Sequence, residues 1–161
     1  MNNLLEMALF FNGNAMFDFV SNVLENVSSL KEGRLFLIKQ KMLKRGVKML
    51  QGERAHRKRH FVGTIRNCAF ECEEHPEAFS EVVGPIAEAV KQECTSEESK
   101  GDDGGFLKQL VETLVLLANA EQLLKEMHSH GIQDLLSKVD AGADEELKSK
   151  ILVVINQLAT V

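Results

Sequence analysis

Cys68, Cys72 and His75 are the residues whose types and spacing come nearest to a metal site. Two thiols lie one helical turn apart, and an imidazole follows three residues later. A structural zinc site needs four ligands and usually a tighter Cys-x-x-Cys pair. Cys94 supplies a fourth only if its helix returns beside the others. Small buried thiols packing as apolar side chains account for the same residues, so neither metal nor cofactor is expected. A second constellation, Arg54, His56, Arg57, Lys58, Arg59 and His60, is densely basic. Such a run suits nuclear import, nucleic-acid phosphates or an acidic protein surface. No aromatic residue interleaves with it, which weakens a stacking platform for single strands. It reads first as the solvated face of a helix, and as a docking patch it favours acidic protein over nucleic acid. Catalytic signals are missing: there is no phosphate-cradling glycine loop, no His-Glu-x-x-His and no nucleophile motif with a local base. His128 and His130 are two apart and cannot share a helix face. The chain is read as non-enzymatic.

The elements that position these residues centre on the stretch from His60 to Phe79. Phe61, Ile65, Cys68 and Ala69 fall at i, i+4, i+7 and i+8, one face of a helix, and leave Arg66 and Asn67 off that seam. His75-Pro76 breaks the helix, and a short apolar helix restarts at Glu77. The stretch has an echo upstream: Val23-Leu24-Glu25-Asn26-Val27 aligns with Thr64-Ile65-Arg66-Asn67-Cys68 at a separation of 41 residues. Leu43 and Val47 correspond to Ile86 and Val90 at 43. A period near 40–47 residues marks helical repeats of the armadillo and HEAT kind.

Apolar periodicity places helices over Asn3 to Phe11, Ala15 to Ser29, Glu32 to Lys39, Met42 to Leu50 and Arg54 to Phe70. Further helices follow over Glu81 to Glu93, Phe106 to Ala118, Glu121 to Met127 and Ile132 to Val139. Gly131 suits a left-handed corner. Asp144 is a plausible N-cap for the last helix, in which Leu147, Ile151, Val154, Ile155 and Leu158 face inward. The expected fold is all-α, an armadillo/HEAT-like solenoid of about three repeats plus a partial one, forming one domain over residues 1–161. Cys94 to Gly105 reads as a mobile acidic linker.

With 44% apolar and 27% charged residues the chain is globular rather than disordered. Two prolines, with neither tyrosine nor tryptophan, argue against a β-sandwich. Three cysteines in no disulfide-like spacing suggest reduced thiols and a cytoplasmic protein, with the nucleus as the alternative. No apolar run reaches the roughly 18–20 residues that span a bilayer, and no signal peptide is expected. The net charge of −5 is divided unequally. Residues 1–60 hold 11 Lys/Arg against 5 Asp/Glu, and residues 61–161 hold 8 against 19. Such a split steers charged partners.

The run Phe61-Val62-Gly63-Thr64-Ile65-Arg66-Asn67-Cys68-Ala69-Phe70-Glu71, with His75 following, resembles the carboxy-terminal half of the eukaryotic armadillo-like chaperones dedicated to translation elongation factor 2. In that family a Gly-Thr-(Leu/Ile)-Arg-Asn-Cys-x-Phe segment occurs at the matching place. Val23 to Gly33 resembles the preceding repeat, with Asn26 and Arg34 matching, and Leu110 to Leu136 resembles the repeat after an acidic insertion. The resemblance implies an adaptor that holds incompletely folded elongation factor 2 and helps pass it to the cytosolic chaperonin. It also implies Asn26, Asn67, Arg66 and Arg34 as partner-binding residues, because an armadillo asparagine on the groove-lining helix bonds an extended partner's backbone. The other reading of Asn26 and Asn67 is structural: they bond neighbouring loops and fix the repeat corners. Leu116 stands near the corresponding place in the third repeat, so the expected asparagine ladder has two rungs. The resemblance covers the carboxy-terminal half of that family, so its amino-terminal repeats are not expected within these residues.

Asn3 to Phe11 is apolar nearly all round and must be covered. This end is expected to pack on a second copy or on further repeats preceding it. Sedimentation velocity checks this: a monodisperse monomer whose first helix is fully solvated contradicts both.

Overall fold

A computed structural model describes residues 18–51, 55–95 and 105–161. The expected first helix and the acidic residues 96–104 lie outside them. The described residues form α1 (Phe19–Ser28), α2 (Lys31–Lys39), α3 (Met42–Gly46), α4 (Lys48–Gln51) and α5 (Ala55–Cys68). After two short 3-10 turns, Ala69–Glu71 and Pro76–Ala78, come α6 (Ser80–Thr95) and α7 (Gly105–Leu117). The chain closes with α8 (Glu121–Ser129), α9 (Ile132–Leu136) and α10 (Glu145–Leu158). No strand occurs among the described residues.

These helices form an all-α solenoid two layers deep. α1, α5, α7 and α10 stand side by side in a row, each packed on the next. Behind them lies an outer layer in which α3 and α4 meet α6, and α6 meets α8 and α9. The opposite face of the row is left open by the described elements.

The register follows the sequence repeat. Leu24, Ile65, Leu114 and Val154 occupy equivalent places on the four row helices, and all are fully buried. Phe61, Cys68 and Ala69 are buried with Ile65, as their spacing requires. Each Leu, Ile or Phe so placed contributes roughly 1.5–3 kcal/mol. Leu43 and Ile86 repeat the pattern in the outer layer.

Boundaries differ from the sequence reading at several points; α9 stops at Leu136 rather than Val139, and Gly105 already belongs to α7. The stretch Met42 to Leu50 is two short helices rather than one. The long helix ends at Cys68 and tightens into a 3-10 turn. After His75-Pro76 the chain makes a 3-10 turn before α6 begins at Ser80. Cys94 and Thr95 still belong to α6. Asp144 does cap α10, its carboxylate accepting from the Leu147 amide at 2.9 Å, and Gly131 takes φ 66° at the corner before α9.

Two glycines are required by close approach. A Cβ on Gly33 would lie 1.8 Å from the Val27 carbonyl oxygen, which is fixed backbone at the end of α1. A Cβ on Gly46 would lie 2.4 Å from the Phe61 ring, which is itself fully buried. At Gly105 a Cβ meets nothing. Gly33→Ala should therefore cost about 1–3 kcal/mol through overpacking, lowering the thermal midpoint by about 2–4 °C per kcal/mol. Gly105→Ala should be neutral or slightly stabilising. Thermal unfolding followed by circular dichroism compares them, and equal effects would contradict the packing described.

Candidate functional site

The open face of the helix row carries three of the four residues singled out as partner-binding, Asn26, Arg66 and Asn67. Arg66 and Asn67 lie there, both half-buried, where the seam of α5 turns away from the core. Polar contacts cross the row from one helix to the next. Between α1 and α5, His56 Nε2 meets the Asn22 side-chain amide oxygen at 2.9 Å, and His60 Nδ1 meets a Glu25 carboxylate oxygen. Deeper down, Asn67 Nδ2 donates to Ser28 Oγ at 3.0 Å, and Ser28 donates to the Glu25 carbonyl. Between α5 and α7, Arg66 donates to Glu112 at 2.9 Å. Between α7 and α10, Lys150 donates to Glu112 at 2.6 Å and Lys108 reaches Glu146; within α10, Lys150 also donates to Glu146 at 2.5 Å.

Arg66, Glu112, Lys150, Glu146 and Lys108 thus alternate in sign along one network. Burial would raise the Glu112 carboxyl, but hydrogen bonds from Lys150 and Arg66 outweigh it and hold the group below its ordinary 4.5. Hydrogen bonds from Lys108 and Lys150 hold Glu146 at about 2. Individually such exposed pairs are worth little; as a network they fix the spacing of three helices.

Beside this network is a cleft of about 340 Å³, bounded by Arg66, Asn67 and Phe70, by Glu112, Val115 and Leu116, and by Lys150. Phe70 is 66% exposed at its rim. The Arg34 guanidinium lies 5.7 Å from that ring's centroid. Arg34 also donates to Glu71 at 2.8 Å, a pair that is nearly buried and ties α2 to the turn after α5. Asn26, by contrast, is exposed on α1, two residues beyond buried Leu24. The same offset from Leu114 and Val154 gives Leu116 and Asn156. Asn156 is exposed on α10 and was missed by sequence reading. Its place 40 residues after Leu116 was the available signal. The sequence reading takes Phe70 as the end of the helix and the last residue of the Gly-Thr-Ile-Arg-Asn-Cys-Ala-Phe run, with no contact role.

The basic run does not form one solvated face. Arg54 lies outside the described residues. Arg57 is 1% exposed, its Nε donating to Asp18 at 2.8 Å. The reason is register: Arg57 precedes Phe61 by one turn and shares its buried side. Lys58 is half-buried and Arg59 is exposed.

Cys68 and Cys72 are sealed in the core. Burial pushes the Cys68 thiol up to about 12, and the Cys72 S–H donates to the Leu116 carbonyl. No metal-ligating cluster of three or more side chains occurs among the described residues. No helix among them is long and apolar enough to cross a membrane.

Comparison with known proteins places the fold. The chain resembles a designed armadillo repeat protein with a TM-score of 0.76 and 19% identity over 96% of this chain and 63% of that one. A second designed armadillo repeat protein, in complex with the peptide (KR)4, gives 0.72 and 18% over 96% and 62%. An engineered protein gives 0.77 and 16% over 97% of this chain and 36% of its own length. The chain therefore spans about a third to three-fifths of these structures. No curated protein matches it. A family described as a domain of unknown function (DUF383) matches residues 4–153, and the chain belongs to that family.

The ion network predicts a pH dependence. Glu112 and Glu146 hold protons less tightly when folded than when unfolded, so their contribution is present above about 4.5. It is lost as pH falls toward about 2. Wild type should lose thermal stability across that window, and Lys150→Ala should lose less. Parallel curves would contradict the network.

Proposed function

We propose, with the armadillo-like fold and the family assignment as premise, that this chain is a non-enzymatic protein-interaction module. Its client segment lies along the open face of the α1–α5–α7–α10 row. The observation that carries this reading is the cleft beside Arg66 and Asn67. An apolar wall from Phe70, Val115 and Leu116 stands there against fixed charges on both sides. Apolar anchors within a polar rim are the usual anatomy of a protein-binding surface.

Asn26, exposed on α1, and Asn156 on α10 are free to meet a partner's backbone. Asn67 already donates to Ser28, so any contact it makes with a client goes through its carbonyl oxygen. Arg34 and Arg66 are held by Glu71 and Glu112 and act as oriented donors rather than as mobile charges. The designed relative bound to (KR)4 supports the general idea that a scaffold of this shape holds a charged peptide.

The client we propose is incompletely folded translation elongation factor 2, handed on to the cytosolic chaperonin in the cytoplasm. This rests on the resemblance of the Gly63-Thr64-Ile65-Arg66-Asn67-Cys68 run and its surroundings. A nucleic-acid role through residues 54–60 is weakened by the burial of Arg57.

Affinity capture from a eukaryotic lysate tests the proposal. Elongation factor 2 with chaperonin subunits should be recovered, and Phe70→Ala with Leu116→Asp should reduce recovery at least about tenfold, the equivalent of 1.4 kcal/mol. Recovery of a different protein set would replace the client, and nuclease-sensitive nucleic acid would replace the function.

A further inference from the structure

A second recess lies on the outer layer, away from the open face. It is a cleft of about 630 Å³ between α2–α3 and the turn leading into α6. Leu35, Ile38, Leu43 and Ala78 make its apolar part. Lys39, Lys41 and Lys44 stand on one rim, with Glu77 and Glu81 on the other. Lys44 is paired with Glu81 across it. Neither Lys39 nor Lys41 forms an ion pair among the described residues, although an acidic rim is close by.

Lys41 has a further peculiarity. It is the one non-glycine residue with positive φ among those described, at 54°. The equivalent corner before α9 uses Gly131 at 66°. A side chain there is disfavoured by contact of Cβ with the backbone. A lysine thus stands where glycine would relieve strain, and its stem lines the cleft. Backbone strain of this kind recurs at binding sites.

The surrounding sequence sets the sign of the partner. Residues 31–51 carry seven Lys/Arg and one Asp/Glu. A continuous phosphate backbone would gain nothing from the apolar lining of Leu35, Ile38 and Ala78. A small anion would leave the cleft mostly empty. A peptide with carboxylates beside a bulky apolar side chain matches both parts of the recess.

We propose that this cleft docks an acidic protein segment, with a leucine or phenylalanine seated between Leu35, Leu43 and Ala78 and carboxylates on Lys39 and Lys41. The site is separate from the client face and does not depend on the identity of the client.

The test uses the full chain and a fluorescein-labelled Glu-Glu-Leu-Glu-Glu-Phe-Glu-Glu peptide, read by fluorescence anisotropy at physiological salt. Binding should saturate. Lys39→Glu combined with Lys41→Glu should weaken it at least about tenfold. Lys48→Glu, exposed in the same basic stretch but outside the cleft, should change it by less than about threefold. Lys41→Gly should raise the melting temperature by about 2–4 °C while weakening the peptide, an outcome that misfolding cannot mimic. Four outcomes overturn the proposal: no saturable binding, equal weakening by Lys48→Glu, undiminished binding of a peptide with serine in place of Leu and Phe, or displacement by single-stranded RNA at lower concentrations than by unlabelled peptide.

Discussion

Everything in this molecule depends on how closely α5 is flanked. A Cβ at Gly63 would stand 2.0 Å from a Glu25 carboxylate oxygen on one side and 3.0 Å from the Gln109 amide on the other. The glycine leaves room for the ends of two side chains, Glu25 from α1 and Gln109 from α7, against opposite flanks of the same helix. With the Gln109 side-chain amide oriented to suit its neighbours, it bonds the Arg59 carbonyl and the Gly63 N–H. Remove that closeness and the Asn67–Ser28 and Arg66–Glu112 contacts lose their geometry, and with them the continuity of the open face.

The central run can therefore be understood residue by residue. Gly63 makes room for the Glu25 and Gln109 side chains, and Thr64 is buried with its hydroxyl on the His60 carbonyl. Ile65 and Cys68 fill the core. Arg66 and Asn67 carry the polar links to α7 and α1. A sequence segment of this kind is first a packing device. The packing in turn displays the charge-fixed strip of Arg66, Glu112 and Lys150 beside Phe70 and Leu116.

Much of this was legible in the sequence, because one period governs both burial and repeat. The spacing of Leu24 and Ile65 gave the stacking register, and Asp144 and Gly131 announced their corner geometry through local backbone chemistry. What escaped was anything decided by neighbours distant in the chain. Arg57 looked like one charge among several, yet Asp18, 39 residues away, receives it in the interior. The Glu112 and Glu146 partnerships depend on three helices that the sequence does not show side by side. Asn156 escaped for a different reason: the connection before α7 lengthens the interval between Asn67 and Leu116 to 49 residues and hides the regular step that follows. The placement of the chain's basic charge was also only partly visible. Lys39 and Lys41, which form no ion pair among the described residues, stand at the α2–α3 corner rather than along α5.

Native-state hydrogen exchange tests the central claim most directly. If α5 is the shared flank of two neighbours, its amides from Phe61 to Cys68 should exchange last. Those of α1 and α7 should open with them in one cooperative unit, at a free energy near that of global unfolding. Exchange of α1 or α7 well before α5, with α5 protection unchanged, would mean the row is not held together through this helix.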